Sequence, residues 1–167
     1  MNSQRTQQNA RFGETGSLLE EGLVLSYARM LKDASAAGSV RRFLQGKNIG
    51  LVGEAPDSAA AILFRSAATE LGAAVAHVKP SLSVSSSAEE VQHTSRMLGR
   101  LYDAVEWQAD SQALLPLVQS AAGIPVYNGL ALPTHPTLAL VRRLDGNEPL
   151  EQLRRLVLQA VLVLTIV

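Results

Sequence analysis

Four short apolar runs, Asn48–Val52, Ala74–Val78, Ala104–Trp107 and Ile124–Tyr127, punctuate this chain, and the three stretches between them carry helical spacing at Ser58–Leu71, Ala88–Leu101 and Ser111–Ala121. Runs of four or five residues are strand length, whereas connections of this length are too long for hairpins and suit crossover helices. A strand that returns through a crossover lies parallel to the one before it, with helices covering both faces of the sheet. The expected fold is therefore a three-layer α/β/α domain around a four-stranded, mainly parallel sheet. Ligands of such sheets sit at the carboxyl ends of the strands. That directs attention to the loops Gly53–Asp57, Lys79–Ser87, Gln108–Asp110 and Asn128–Thr134.

The remaining chain divides around this unit. Residues 1–16 are polar and Gln/Asn-rich and read as a poorly ordered tail, and 17–146 form the α/β domain. From Ser17 the positions Leu18, Leu19, Val24, Leu25, Ala28 and Leu31 place one apolar stripe on a helix ending near Lys32. Residues 147–167 read as a helix from Glu148, with Pro149 in its first turn; from Leu156 onward only Gln159 and Thr165 are polar. That run is too short to span a bilayer, so it is expected to pack on the domain or on a partner.

Composition narrows the function classes. Fifteen basic side chains balance fifteen acidic ones, which leaves no field to gather nucleic acid or an anionic membrane. There is no cysteine, and the three histidines, His77, His93 and His135, stand far apart without companions at metal-ligand spacing. No metal or cofactor is expected. The amino terminus lacks a secretory pattern, so the chain reads as cytoplasmic.

The loop after the first run, GEAPDSAAAILF (Gly53–Phe64), breaks a strand at Gly and Pro and restarts it as a helix. The unpaired N–H groups of such a helix start are a common receptor for anions. KNIGLVGEAP, FRSAATELGAAVAHVKPS, TSRMLGRLYDAVEW and IPVYNGLALPTHPTLAL then follow one another from Lys47 to Leu140 without an obvious gap. Together they resemble the amino-terminal, carbamoyl-phosphate-binding half of the aspartate/ornithine carbamoyltransferase family, most similar to its ornithine branch. Asn128-Gly-Leu130 followed by His135-Pro-Thr137 is the most specific part of the likeness.

The resemblance also marks what has changed. The family's Ser-Thr-Arg-Thr-Arg phosphate clamp falls on Asp57, Ser58, Ala59, Ala60 and Ala61, so both guanidinium groups are replaced and a carboxylate is added. A further family Arg after the third strand falls on Gln108, the Lys of the mobile second loop on Ala88, and the Gln of His-Pro-Thr-Gln on Leu138. Of the family's polar ligands only His135 and Ser58 persist. The half that binds the amino-acid co-substrate is expected to be missing. The resemblance further implies a cis bond before Pro136, and assembly as a homotrimer or a mixed oligomer with a full-length carbamoyltransferase.

Each of these residues also has a plain structural reading. Asp57 and Ser58 read as an ordinary helix N-cap, and His135 as a residue of a stiff turn that caps the following helix. Glu54, His77 and His93 lack partners that would make a catalytic set, Trp107 and Tyr127 suit packing, and the pairs Arg41-Arg42, Arg142-Arg143 and Arg154-Arg155 suit solvated helix faces, with a replacement anion site as their alternative. The expected function is a carbamoyltransferase-like chain, catalytically inactive on its own, that serves as a binding or assembly subunit. The alternative is an enzyme subunit that binds a different small anion or acyl compound together with a partner chain.

Overall fold

A computed structural model describes residues 18–167, so the tail expected at 1–16 lies outside the described residues. The chain opens with helix α1 (Leu18–Ala36), whose Val24, Leu25, Ala28 and Leu31 are buried. It runs one turn beyond the expected end because its stop lies further on. Gly38 takes a left-handed φ of 65°, and Ser39 N–H closes the last turn on Ala34 O at 2.9 Å.

The α/β unit follows: β1 (Asn48–Val52), α2 (Ala59–Glu70), β2 (Ala74–Val78), α3 (Ala88–Leu101), β3 (Ala104–Trp107), a 3-10 turn at Gln112–Leu114 leading into α4 (Leu115–Ala122), and β4 (Val126–Asn128). The fourth strand begins later than the apolar run because Pro125 has no N–H to give the ladder; only its carbonyl pairs, with Val105 N–H at 2.9 Å. A four-residue helix, α5 (Leu138–Val141), and the long α6 (Leu150–Ile166) complete the chain. Pro149 precedes α6 as its cap rather than lying within its first turn.

The four strands form one parallel sheet in the order β2-β1-β3-β4, with Leu51 opposite Glu106 and Glu106 opposite Tyr127. β1 and β3 are interior and almost wholly buried, which is why they read as short apolar runs, with Glu106 the one charged side chain inside them. β2 lies on the edge and stays largely exposed. Ile49, Leu51, Ala104 and Tyr127 face one way, into a core shared with α1, α2 and α6. Val52, Val105, Trp107 and Val126 face the other way, against α3 and α4.

The apolar end of α6 is accounted for within this chain. Leu156, Val157, Ala160, Val161 and Leu162 are buried against the α1 and α2 side of the sheet. Gln159, the polar residue in that run, donates to Ala67 O at 3.2 Å and to Glu70 at 2.9 Å. No described helix is long and apolar enough to cross a membrane. Among the described residues no peptide bond is cis, so the bond before Pro136 is trans, contrary to expectation. The trans form is intrinsically favoured even before proline, and here the turn closes without the rarer isomer.

Candidate functional site

Strand order reverses between β1 and β3: the chain leaves β1 toward β2 on one side and later returns to β3 on the other. In an open parallel sheet this is where a crevice forms at the carboxyl edge. The loops after β1 and β3 flank it. They touch directly, since Gln108 N–H donates to Val52 O at 2.7 Å and a Cβ built on Gly53 would meet Gln108 at 3.4 Å.

The β1 loop keeps the shape of an anion cradle. Gly53 N–H donates to Val78 O at 3.1 Å, and the ring of His77 on β2 bonds Gly53 O through Nε2 at 2.6 Å. Ser58 caps α2, its Oγ accepting from Ala61 N–H at 3.1 Å. One of the unpaired N–H groups of the helix start is therefore already occupied by the chain itself. Asp57 and Ala59 are exposed, whereas Ala61 is buried in the core at 1% exposure. Arg65, one helix turn further on, spends its Nη2 on Pro56 O at 3.0 Å and so braces the loop.

The other marked positions fall as follows. Ala88 opens α3 just after Ser87, whose Oγ accepts from Glu90 N–H at 3.2 Å while the Glu90 carboxylate accepts from Ser87 N–H at 2.8 Å. This reciprocal cap fixes the helix start without a cation. Leu138 lines a void of about 10 Å³ with Leu130, Leu132, Thr137 and Arg154. Arg154 reaches this region from α6 and donates to Ala131 O at 2.8 Å.

His135 is held in the turn after β4 by bonds at both ends of its backbone: its N–H donates to Leu132 O at 3.1 Å and its carbonyl accepts from Leu138 N–H at 3.0 Å. Its Nδ1 lies 2.9 Å from Thr137 Oγ1 and accepts from Thr137 N–H at 3.2 Å. Burial pushes its pKa down to about 4. The ring is neutral at physiological pH.

Glu106, which the sequence reading did not single out, lies beneath this edge. It is fully buried, and neither carboxyl oxygen has a hydrogen-bond partner among the described residues. Desolvation pushes its pKa well above the usual carboxylate range. The Leu130 backbone and the Gln108 side chain oppose that shift only in part, without reaching hydrogen-bond geometry. Trp107 Nε1 and Gln108 Nε2 are buried without partners as well. Burial also raises the pKa of Tyr127, whose hydroxyl pairs with Thr165 of α6. A carboxylate inside the apolar run Ala104–Trp107 was the available signal for Glu106; Arg154 was marked in the sequence only as one of the arginine pairs, and nothing there points it at Ala131.

The other expected residues do not converge. Glu54 and His93 are exposed. The arginine pairs go separate ways: Arg41 lies over the Phe43 ring at 5.4 Å, Arg143 pairs with Glu21 at 2.9 Å, and Arg155 pairs with Glu70 at 3.2 Å. Among the described residues no group of three His, Cys, Asp or Glu side chains is placed to hold a metal ion.

Comparison with known proteins agrees with this framework. Residues 18–144 match the carbamoyl-P binding domain of aspartate/ornithine carbamoyltransferase. The ornithine carbamoyltransferase of Actinobacillus pleuropneumoniae serotype 5b (strain L20) is 36% identical over 129 residues, covering 77% of this chain and 39% of that protein. Ornithine carbamoyltransferase from Pyrococcus furiosus superposes with a TM-score of 0.61 at 26% identity, over 74% of this chain and 40% of that one. The anabolic ornithine carbamoyltransferase from Campylobacter jejuni superposes at 0.62 with 25% identity, over 77% of this chain and 41% of that one. The chain thus spans about two fifths of the length of these relatives. Matched over most of its own length, it belongs to the aspartate/ornithine carbamoyltransferase family through the carbamoyl-phosphate-binding domain.

Proposed function

We propose that this chain is a non-catalytic member of its family, a binding or assembly subunit that has given up carbamoyl phosphate. The observation that carries the reading is the α2 start: its geometry is kept, yet its first turn is Ala59-Ala60-Ala61 and the residue before its cap is Asp57. A multiply charged phosphate needs guanidinium groups or a comparable density of positive charge. At 57, 59, 61 and 108 this chain offers a carboxylate, two methyl groups and an amide. The Asp57 carboxylate competes for the positive helix end, an effect of about 0.3–1 kcal/mol.

Support for association comes from the opposite margin of the sheet. β2 is an exposed edge strand, and beside it a groove of about 230 Å³ is lined by Ile49, Val75, Leu101 and Tyr102. Leu101 is 57% exposed, and an open edge beside apolar surface favours pairing with another chain. The expected partner is a second copy of this chain or a full-length carbamoyltransferase. Two measurements test the proposal. Titration calorimetry with carbamoyl phosphate and with inorganic phosphate is expected to give no saturable heat up to millimolar ligand. Size-exclusion chromatography with light scattering, alone and with a full-length carbamoyltransferase, is expected to show an oligomer. Saturable carbamoyl phosphate binding, or a monomer under both conditions, contradicts it.

A second reading is favoured by His135, which lies in the turn after β4 and is neutral. On that reading the cleft takes a small acyl compound in place of carbamoyl phosphate, and a partner chain completes the site.

A further inference from the structure

Strand β2 is the outer strand of the sheet, and half of its backbone is spent on β1. Ala74 N–H donates to Lys47 O at 2.9 Å, and Val78 O accepts from Gly53 N–H at 3.1 Å. Backbone direction alternates along a parallel strand, so Ala76 also faces β1, while Val75 and His77 direct their N–H and C=O groups away from the sheet. Among the described residues no backbone bond outside the sheet uses these four groups. Nothing blunts the edge: Ala74-Val75-Ala76-His77-Val78 holds no Lys, Arg, acid or Pro, and it runs in regular register with β1. The opposite edge is a poor complement, because β4 has three residues and Pro125 stands before it without an N–H. Head-to-tail pairing of β2 with β4 therefore has little to match, and a second β2 is the better partner.

We propose that β2 pairs antiparallel with β2 of a second copy of this chain, about a two-fold axis at Ala76, joining the two four-stranded sheets into one. This pairing rests on the assembly reading above, of which it fixes the partner and the register, and its two-fold symmetry sets it apart from the homotrimer that the family resemblance implies. In that register Val75 lies opposite His77 of the second copy and His77 opposite its Val75, so each pair exchanges two backbone bonds and every free group of the edge is satisfied. Side chains fit as well: Ala74 lies beside Val78 of the second copy on one face, and Val75 beside His77 on the other. Charge complements the geometry. One pair beyond the strand, Lys79 falls opposite Ala73 of the second copy, on the side of the sheet where Val75 packs and α2 lies. Lys79 is exposed and has no ion-pair partner among the described residues, and the carboxyl end of α2 at Glu70 is the negative pole leading into Ala73. The axis makes that contact twice. The same crossing carries the loop Lys79–Ser87 of the second copy past the groove of about 230 Å³ beside Ala74, Leu101 and Tyr102, where Val84, 78% exposed, supplies an apolar cover.

Light scattering after size-exclusion chromatography of the full chain, across the micromolar range, is expected to show a dimer. Val75→Pro removes an N–H that its own sheet does not use, so the circular dichroism is expected to hold while the dimer dissociation constant rises about tenfold or more. The chain has no cysteine, so single cysteines report the register cleanly. In Ala76→Cys the two Cα atoms lie about 4.5 Å apart across the axis, and oxidised glutathione is expected to give a disulfide-linked dimer. In Ala74→Cys they lie roughly 13 Å apart, and the chains are expected to stay unlinked. Both alanines are exposed, so this pair of variants decides the matter even where Val75→Pro fails to fold. A trimer, a dimer in which Ala76→Cys links no better than Ala74→Cys, or unchanged dissociation in a folded Val75→Pro overturns the pairing while the assembly reading stands. A monomer overturns the pairing and, where it persists with a full-length carbamoyltransferase present, the assembly reading as well.

Discussion

Replacing Glu106 with Gln tests the electrostatics of the sheet centre directly. Glu106 is fully buried between Leu51 and Tyr127, and its oxygens find no partner. Its folded-state pKa is raised by desolvation, whereas in the unfolded chain it returns to about 4.3. Between those two values the native state holds a proton that the unfolded state has released. Stability is therefore complete below the unfolded pKa and is lost as pH rises through the folded one, by about 1.4 kcal/mol per pH unit. Gln at 106 does not titrate. His135 contributes the opposite slope between about pH 4 and its unfolded value, and Glu148, paired with Lys32, loses its contribution in acid. Both groups are present in wild type and variant, so they cancel in the difference. Urea unfolding followed by the fluorescence of Trp107, the single tryptophan, gives that difference at each pH. From pH 5 to pH 7 the variant is expected to gain steadily on the wild type, by at most about 3 kcal/mol, with its Tm rising relative to the wild type in step. Parallel stability curves would refute the reasoning, because they would mean that Glu106 titrates alike in the folded and unfolded chain.

Four further substitutions probe the frame and the positions at which the family resemblance places clamp arginines. Ala59→Arg, at an exposed position, is expected to lower stability by less than about 1 kcal/mol, whereas Ala61→Arg forces a guanidinium into the core and is expected to cost several kcal/mol by thermal melting. Ser87→Ala removes one arm of the reciprocal cap on α3 and should lower stability by about 1 kcal/mol in urea titrations. Leu162→Ala, at a position with no solvent exposure, should cost about 2–5 kcal/mol, and a loss under 1 kcal/mol would show that α6 does not pack as described.

The sheet could be read from the sequence because β1 and β3 are buried on both faces and are mostly apolar, and because the helices between them are too long for hairpins. The exposed edge strand β2 was read equally well, since Ala74–Val78 keeps strand length between a glycine turn and a proline-bearing loop. Boundaries slipped where proline and glycine act locally: Pro125 delays β4, Pro149 stays outside α6, and Gly38 lets α1 run on. The crevice was placed by topology alone, but its energetics were not. The orphaned Glu106 carboxyl, the Thr137 bonds to His135 and the reach of Arg154 to Ala131 depend on side-chain directions that no spacing rule encodes.

On the proposed reading, a cradle can keep its shape without clamp charges because of what holds the shape. The β1 loop is tied by Gly53 N–H to Val78 O, by His77 to Gly53 O, by Ser58 to Ala61 N–H and by Arg65 to Pro56 O, and none of these bonds uses a ligand or a clamp arginine. The helix start is capped by its own serine, so removal of the anion leaves that donor satisfied. The two positions that the resemblance gives to clamp arginines differ in their surroundings. Ala59 points to solvent and is free to vary, while Ala61 packs with Leu63, Phe64 and Leu51 in the core. Once a methyl group is enclosed there, a return to arginine costs a buried charge as well as a steric clash. The loop's stability and an ability to hold phosphate are separable quantities, and burial at 61 opposes placing an arginine there while the bonds that tie the loop are untouched.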